Sequence, residues 1–283
     1  MHVYSSPAAI KSTLSDQLKE DKSLGLVPTM GALHEGHLTL VKKSLAENDL
    51  TVVSIFVNPI QFNSKEDLDN YPKDFEADLD LLKSYNVDYV FCPDEKDLYP
   101  TAPLVSINFG DISHLMEGKF RKGHFEGVGV IVCKLLNLLS PNTAYFGLKD
   151  LQQFLLIKRM CEDLNFRTRI VGVETVREKS GLAMSSRNRR LSDHGKEIAS
   201  LLYKGLKSME EGVFNRLSVS NLVHDANDVF RRSDLIQIEY LEVVDPSTLE
   251  PVDSYEDMDE LAICVAGYVE GIRLIDNLYL RLK

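Results

Sequence analysis

The stretch VPTMGALHEGHLTLV, residues 27–41, decides the fold that we predict from the sequence. It continues an apolar run, LGLVPT (24–29), through a glycine-containing loop into the amphipathic pattern of a helix. Its two histidines, His34 and His37, lie three positions apart, whereas zinc proteases need H-E-x-x-H, with histidines four apart on one helical face. Gly36 is also unfavourable inside a helix, by about 1 kcal/mol relative to alanine. We therefore predict that the pair lies at the start of a helix.

The composition limits the classes of protein that the chain can belong to. It has 283 residues, of which 44% are apolar, enough for one large or two ordinary domains, and we favour two. The net charge of -11, from 43 acidic and 32 basic residues, argues against a nucleic-acid partner. Four cysteines without a C-x-x-C pair favour free thiols in a reducing compartment. Because neither a signal peptide nor an apolar stretch of about 20 residues is recognisable, we expect a soluble cytoplasmic protein without a membrane partner.

The first half of the chain alternates short apolar runs with amphipathic stretches. Runs of this kind, when buried on both faces and joined by helices, indicate a parallel sheet wound in right-handed β-α-β units. We therefore predict an α/β fold, a Rossmann-like open parallel sheet with helices on both faces. The predicted strands are 24–29, 51–57, 87–91, 143–146 and 168–173.

The pattern changes after the segment SSRNRRLS, because helix patterns come first and strand patterns later. This segregation predicts a smaller α+β domain with a meandering sheet. The predicted helices are 193–212 and 218–232, and the predicted strands are 235–245, 261–269 and 272–280. We predict three parts: a Rossmann-like domain for nucleotide and substrate at 1–177, a hinge at 178–192, and a C-terminal lid domain at 193–283.

In an open parallel sheet, ligands bind beyond the carboxyl ends of the strands, which is where the loop at 30–35 should lie. A helix beginning near Gly36 would direct its free N–H groups and its positive dipole end toward a phosphate. His34 and His37 could donate hydrogen bonds to phosphate oxygens and offset charge during attack on a phosphoryl group. The alternative is a pair of histidines that only caps and packs the turn. The chain contains neither a Walker loop nor a G-x-G-x-x-G fingerprint.

Two further segments carry groups suited to phosphate. In AYFGLKDLQQ (144–153), Lys149 could supply a positive charge, and Asp150 could bind a ribose hydroxyl or cap a helix. In GLAMSSRNRR (181–190), two serines and Arg187 provide donors for phosphate oxygens. The alternatives are a capped surface helix for the first segment and a flexible linker for the second.

Two more segments carry polar groups next to predicted strands or helices. In SIFVNPIQFNSKEDLDNYP (54–72), the amides of Asn58 and Gln61 suit a hydroxy acid, although Asn-Pro is also a good turn. MEGKFRKGHFEGVGV (116–130) is either a second anion-handling loop or a solvated connection. It contains a carboxylate, a guanidinium and an imidazole: Glu117, Arg121 and His124.

Five motifs occur in the order PTMGALHEGH, FVNPIQF, GHFEGV, FGLKDLQQ and GLAMSSRN. Together they resemble the pantothenate synthetase family, the pantoate–β-alanine ligases, along most of the chain. H-x-G-H and M-S-S-R resemble the two signature motifs of the nucleotidyltransferase superfamily, which includes class I aminoacyl-tRNA synthetases. The resemblance implies a two-step reaction without a covalent enzyme intermediate. Pantoate attacks the α-phosphorus of ATP and releases pyrophosphate, and β-alanine then displaces AMP from the pantoyl adenylate.

The resemblance also implies residue roles. The catalytic residues would be His34, His37, Lys149 and Arg187. The residues around ATP would further include Met30, Gly147, Asp150, Val176, Met184, Ser185 and Ser186. Pantoate would be held by Gln61 and Gln153, and the same cavity would be lined by Asn58, Tyr71, Arg121 and His124. Asp78 is a candidate contact for Mg²⁺, which the phosphates would mainly carry. Family members are typically homodimers, so we expect a homodimer.

Three positions depart from the family pattern, namely Leu148, Asn63 and Val130, and none removes a proposed catalytic group. The nearest alternative function is a nucleotidyltransferase that activates another small acid, which would keep HEGH and MSSR but need neither glutamine. An RNA-binding relative of tRNA synthetases is disfavoured by the negative charge. A catalytically silent nucleotide-binding module is disfavoured by the presence of Lys149 and Arg187.

Overall fold

The computed structural model describes residues 1–283, apart from the side chain of Leu18. A six-stranded parallel sheet with the order β1-β4-β3-β2-β5-β6 forms the centre of the N-terminal region. The order reverses between β2 and β5, so a crevice opens at the carboxyl ends of these two strands. The strands are β1 (His2–Tyr4), β2 (Leu24–Thr29), β3 (Leu50–Ile55), β4 (Tyr89–Phe91), β5 (Thr143–Gly147) and β6 (Arg169–Val173).

Helices cover both faces of this sheet. One apolar cluster packs Leu26 and Phe91 against Leu135, and a second packs Val27 and Val53 against Val41 on the other face. The helices are α1 (Pro7–Leu18), α2 (Glu35–Glu47), α3 (Lys65–Asp69), α4 (Phe75–Ser84), α5 (Glu95–Leu98), α6 (Met116–Phe120), α7 (His124–Leu139) and α8 (Leu151–Asp163). Short 3₁₀ turns occur at Pro59–Gln61, Gly110–His114, Leu148–Asp150 and Ser186–Arg190.

The C-terminal region has its own sheet and core. Its sheet is antiparallel, in the order β7-β8-β9, and it packs on two helices through a cluster that includes Leu202, Leu222 and Ile263. The elements are α9 (Asp193–Phe214), α10 (Val219–Phe230), β7 (Ile236–Val244), β8 (Glu260–Val269) and β9 (Ile272–Arg281).

A further apolar cluster joins the two regions. It contains Met116 and Leu151 from the N-terminal region and Tyr240 and Cys264 from the C-terminal sheet. The regions therefore share a packed, water-excluding interface on one side of the crevice. A movement of the C-terminal region relative to the N-terminal region would either carry this cluster with it or separate its side chains.

The predicted fold class is confirmed, because a parallel sheet with helices is followed by a smaller antiparallel sheet. The strand predicted at 24–29 has the observed bounds, and the helix predicted near Gly36 begins at Glu35. The prediction missed β1 and α1. In β1 the side chains are largely exposed, and among the side chains of α1 that the structure describes only Ile10 and Leu14 are fully in the core. In the part of the chain described, none of the helices is long and apolar enough to cross a membrane.

Candidate active site

The loop between β2 and α2 is held in place from below by Asp78. The two carboxylate oxygens of Asp78 accept the backbone N–H groups of Ala32 at 2.8 Å and Leu33 at 2.7 Å. Asp78 is 3% exposed and does not line the crevice. The contact of Asp78 with Mg²⁺ stays a prediction; because both of its oxygens accept backbone N–H groups, this carboxylate shapes the loop. Its sequence position on an amphipathic helix carried no sign of that role.

The two histidines cap helix α2 with their Nδ1 atoms. Nδ1 of His34 accepts the N–H of Gly36 at 3.2 Å, and Nδ1 of His37 accepts the N–H of His34 at 3.3 Å. The two rings lie against each other, with centroids 4.0 Å apart and planes tilted by 35°. A neutral imidazole whose Nδ1 accepts carries its proton on Nε2, so each ring retains one N–H donor for another partner.

Both histidines are neutral at neutral pH. Burial, followed by the positive charge of Lys149, lowers the pKa of His34 to about 4. Burial also lowers the pKa of His37 to about 3, with smaller effects of His34 and Lys149. The capping role and the donor role that the sequence left as alternatives are therefore compatible, because they use different nitrogen atoms.

A hydrogen-bond network fixes the amides at the end of β3. The Nδ2 group of Asn58 donates to Oε1 of Gln61 at 3.0 Å and to the carbonyl of Gly127 at 3.1 Å. Nε2 of Gln61 lies 3.0 Å from the sulfur of Met30, and the hydroxyl of Tyr99 donates to Oδ1 of Asn58 at 3.0 Å. These contacts orient the Gln61 amide and leave one of its N–H bonds available.

His124 supports the same turn from α7. The guanidinium of Arg121 can only donate, so the 3.0 Å contact makes Nε2 of His124 an acceptor. The remaining proton lies on Nδ1, which donates to the carbonyl of Gln61 at 2.9 Å. Burial, followed by the charge of Arg121, lowers the pKa of His124 to about 4. His124 is therefore neutral and holds the backbone of Gln61.

The turn after β5 carries Lys149 and Asp150 at the same edge of the sheet. Helix α8 follows at once, and Gln153 in its first turn is half-buried and faces the crevice. The backbone carbonyls of Leu148 and Lys149 accept hydrogen bonds from the Asn277 side chain in β9. The position of Lys149 thus depends on the C-terminal region.

Residues 176–184 form a small hairpin before the 3₁₀ turn at Ser186–Arg190. The N–H of Met184 donates to the carbonyl of Val176 at 2.9 Å, and the Ser185 hydroxyl accepts the N–H of Arg187 at 3.3 Å. Nη2 of Arg187 donates to Asp67 in α3 at 2.9 Å. Its guanidinium also lies 5.7 Å from the ring centre of Tyr71, whose hydroxyl is 3.2 Å from the hydroxyl of Ser186.

Most of the site residues predicted from the sequence line one cavity in the crevice. They are Met30, His34, His37, Asn58, Gln61, Tyr71, Gly147, Lys149, Asp150, Gln153, Val176, Met184, Ser185, Ser186 and Arg187. Arg121 and His124 lie outside it and line a small adjoining cavity that shares Lys149, Asp150 and Gln153. Three segments far apart in the chain, around His37, Lys149 and Arg187, therefore border one hollow.

Several residues of the site were not predicted. Thr29, Ser54, Glu174 and Thr175 also line the cavity. The Ser54 hydroxyl is buried and has no hydrogen-bond partner among the residues that the structure describes, so it is available to a ligand. Ser54 was hidden in an apolar strand pattern, although Thr29 and Ser54 both stand at strand ends facing the crevice.

The three departures from the family pattern lie outside this cavity. Leu148 packs in the apolar cluster between the two regions, and Val130 packs against the core of the N-terminal region. Asn63 donates weakly to the carbonyl of Phe120 at 3.4 Å. These contacts explain how the positions can change without removing a polar group from the crevice.

The fold and the site together define a class. A parallel sheet with a strand-loop-helix unit at its switch point, two neutral histidines at the helix start, and a lysine and an arginine from later segments is the arrangement of a phosphate-handling α/β enzyme. The family model for pantoate–β-alanine ligase matches residues 2–279. The chain therefore belongs to the pantoate–β-alanine ligase family, whose members form a carbon–nitrogen bond, and both the predicted family and the predicted enzyme class are confirmed.

Similar proteins cover the whole chain. A pantothenate synthetase from Cytophaga hutchinsonii is 44% identical over 94% of both chains, and one from a Sulfurihydrogenibium species is 43% identical over 98% of this chain and 99% of its own. The crystal structure of pantothenate synthetase from Thermus thermophilus has a TM-score of 0.93 at 40% identity, with 98% and 99% of the chains covered. The Francisella tularensis ligase, described in complex with β-γ ATP and β-alanine, has a TM-score of 0.82 at 36% identity, with 98% and 97% covered.

Proposed function

We propose that this protein joins pantoate to β-alanine at the expense of ATP, through a pantoyl-adenylate intermediate. In the first step a carboxylate oxygen of pantoate bonds to the α-phosphorus while the bond to the β-phosphate breaks and pyrophosphate leaves. In the second step the amine of β-alanine attacks the acyl carbon, AMP leaves, and the nitrogen loses a proton. The observation that supports this most directly is the convergence of His37, Lys149 and Arg187 on a cavity that also contains Gln61 and Gln153.

The histidines would act as neutral hydrogen-bond donors. Their Nδ1 atoms are used by the backbone, and their Nε2–H groups are left for phosphate oxygens. Donors held rigidly before the reaction stabilise charge that develops in the transition state, without a cost of reorganisation at that moment. Because their pKa values are low, both imidazoles are neutral at neutral pH, and neither would act as a general acid.

Lys149 and Arg187 would supply the positive charge. Lys149 borders the cavity at the turn after β5, and Arg187 reaches it from the 3₁₀ turn that follows the hairpin. Arg187 is paired with Asp67, so binding of a phosphate would have to compete with that ion pair. The pair keeps the guanidinium at the rim of the cavity rather than in solvent.

Gln61 and Gln153 would hold pantoate. Amide groups can both donate to a carboxylate and accept from a hydroxyl, which suits a hydroxy acid. The cavity floor beneath them is apolar, with Val128, Ile131 and Leu135 of α7. A polar rim above an apolar floor matches a small acid that carries a branched hydrocarbon body.

Mg²⁺ fits this site as a companion of the phosphates rather than as a resident of the protein. Among the side chains that the structure describes, no group of three histidine, cysteine, aspartate or glutamate residues is arranged to hold a metal ion. Mg²⁺ usually retains several waters and binds through substrate phosphates, where it neutralises their charge. Asp150 at the cavity rim is a carboxylate that could contact its waters.

The proposal also includes closure of the cleft, a homodimer and a cytoplasmic location. Closure over the adenylate would protect it from water, and this closure would have to keep β9 against the turn at Leu148–Asp150.

In the homodimer, a second copy of the chain would cover Leu104 and Val105, which are 101% and 76% exposed beside an apolar groove with Ile107 and Cys133. Leu104→Asp should therefore shift the protein to a monomer in light scattering.

The experiment for the proposed function is isotope exchange between ATP and pyrophosphate. We expect exchange that requires pantoate, and release of AMP once β-alanine is added. Other small hydroxy acids serve as matched controls. Exchange that is equal without pantoate would refute the substrate assignment, and exchange that is faster with another acid would identify a different acid-activating nucleotidyltransferase.

A further inference from the structure

Asn277 of β9 reaches across the interface to the turn that carries Lys149. Its Nδ2 group donates to the carbonyl of Lys149 at 2.7 Å and to the carbonyl of Leu148 at 3.0 Å. Asn277 is 6% exposed, and both donors of its buried amide are used by these two carbonyls. One side chain of the C-terminal region thus fixes two successive peptide groups of the N-terminal region.

The neighbouring residue, Asp276, binds the other segment of the site. Its carboxylate accepts two hydrogen bonds from Arg177, at 2.6 and 2.9 Å, and it is 4% exposed. Arg177 also donates to the carbonyls of Asn277 and Gly181, both at 3.2 Å. It therefore anchors the start of the hairpin that leads to Arg187.

We propose that Asn277 is a positioning residue that sets the place of Lys149 in the cavity, with Asp276 holding Asn277 and the hairpin together. This inference rests on the proposed function, because it concerns adenylate formation. A lysine side chain is a flexible four-carbon stem, so its ammonium group can find a phosphate only if its backbone is already fixed. A misplacement of about 1 Å is enough to slow a reaction by about 100-fold.

A purely structural role for Asn277 makes a different prediction. If its amide only satisfied buried carbonyls, its loss would weaken the fold in the same way whether or not Lys149 carried an ammonium group. If it acts through Lys149, its loss should matter little once that ammonium group is gone. Double-mutant cycles separate the two cases, since coupled residues depart from additivity.

The test is pantoate-dependent ATP–pyrophosphate exchange in Asn277→Ala, Lys149→Ala and the double variant. We expect Asn277→Ala to lower kcat/KM for ATP by about tenfold in the otherwise unaltered protein and by less than about twofold in the Lys149→Ala background. The matched control is Tyr240→Phe. It removes another buried contact across the interface, from the Tyr240 hydroxyl to Glu117 at 3.0 Å, and does not touch the turn. Its effect should be the same factor with and without Lys149.

Three results would overturn the inference. Asn277→Ala could retain full activity, or it could lower kcat/KM by the same factor with and without Lys149. The third is that Tyr240→Phe proves to be coupled to Lys149 as strongly as Asn277→Ala is. Thermal unfolding is followed for every variant, and Asn277→Ser, which keeps a shorter donor, enters the same cycle. If neither Asn277 variant folds, Asn277 is required for folding and the inference fails. Absence of pantoate-dependent exchange in the unaltered protein would instead defeat the proposed function.

Discussion

Nδ1 of His37 accepts the backbone N–H of His34 at 3.3 Å, and this contact determines which nitrogen of the His37 ring can meet a ligand. The proton lies on Nε2, and the pKa of about 3 keeps the ring neutral. Capping of the helix and contact with a phosphate are therefore separable functions of one side chain. Substitutions that mimic one nitrogen or the other can distinguish them.

His37→Asn places an acceptor near the position of Nδ1 and removes the donor at Nε2. We expect the stability to be nearly unchanged and the single-turnover rate of adenylation to fall by about 100- to 1,000-fold, the usual effect of losing one such donor. His37→Gln can return an N–H near the position of Nε2 and should recover part of the rate. Quenched-flow measurement checks both variants; equal rates for Asn and Gln would contradict the assignment of the two nitrogen atoms.

Lys149→Ala removes the positive charge at the turn after β5. We expect adenylation to slow by about 100-fold or more, because charge that develops on the phosphates loses its partner. The release of AMP from preformed adenylate should change much less. The matched control is Lys158→Ala, an exposed lysine on α8 of the same region, which should behave like the unaltered protein. A normal single-turnover rate in Lys149→Ala would leave this lysine a structural role only.

Gln61→Ala should chiefly weaken the capture of pantoate. The variant removes an amide that Asn58 and Met30 orient toward the cavity, so we expect the KM for pantoate to rise by about tenfold or more. The KM for ATP should stay within about twofold, since the cavity rim around the phosphates is untouched. Steady-state kinetics with each substrate varied measure the two effects, with the exposed Gln237→Ala as control. A loss confined to ATP would relocate the acid pocket.

The buried histidines should make the fold sensitive to acid. The pKa of His34 and of His124 is about 4 and that of His37 about 3, below the ordinary value of 6.5. The unfolded chain therefore binds more protons than the folded one below about pH 6.5, and stability is lost as the pH falls from there toward about 4. Above that range each neutral histidine retains its full contribution to stability.

We expect the free energy of unfolding to fall by on the order of 1 kcal/mol per pH unit for each of these histidines. Urea unfolding at a series of pH values measures the slope. His124→Asn should reduce the slope by the contribution of one histidine, about 1 kcal/mol per pH unit. His224→Asn, which replaces an exposed histidine on α10, is the control. The same slope in His124→Asn as in the unaltered protein would contradict this account.

Glu117 should be important for the contact between the two regions. Its carboxylate accepts two hydrogen bonds of 2.8 Å from Arg273, and Arg273 also pairs with Glu239. Burial raises the pKa of Glu117, but the hydrogen bonds and charge of Arg273 outweigh burial and hold the pKa below its ordinary value. Glu117→Ala should lower the free energy of unfolding by about 3 kcal/mol, because Arg273 and Arg121 lose a buried partner.

Chemical denaturation at neutral pH measures this loss. Asp16→Ala breaks an exposed pair with Lys19 on α1 and should have almost no effect, which makes it the matched control. An equal effect of the two substitutions would mean that the ion pair across the interface contributes no more than a surface contact.

The sequence predicted best those features that depend on local patterns. The strand at 24–29 and the helix start near Gly36 follow from an apolar run, a glycine-containing loop and a polar cap that are close together in the chain. The family motifs added the residues of the cavity, because most of these motifs stand at the end of a strand where the crevice must lie. The short edge strand β1 was not predicted, since three residues with little burial show no hydrophobic pattern.

Contacts between distant segments could not be predicted in the same way. Asp67 precedes Arg187 by 120 residues, and Asn277 follows Lys149 by 128. Asp78 illustrates this limit: the family resemblance implied a contact with Mg²⁺, whereas the hydrogen bonds of its oxygens to two backbone N–H groups of a loop about 45 residues away had no local signal. Only the packing of α4 beneath the loop brings the carboxylate to these donors.

The pairs Glu117–Arg273 and Arg177–Asp276 have a consequence for protein engineering. Each joins a residue from before position 178 to one in β9, so a chimaera that fuses the front half of one family member to the rear half of another inherits half of each pair. Such a hybrid keeps both pairs only where its two parents carry the same residues at these four positions. Recombination between family members that differ there should therefore succeed at crossovers that leave each pair within one parental segment.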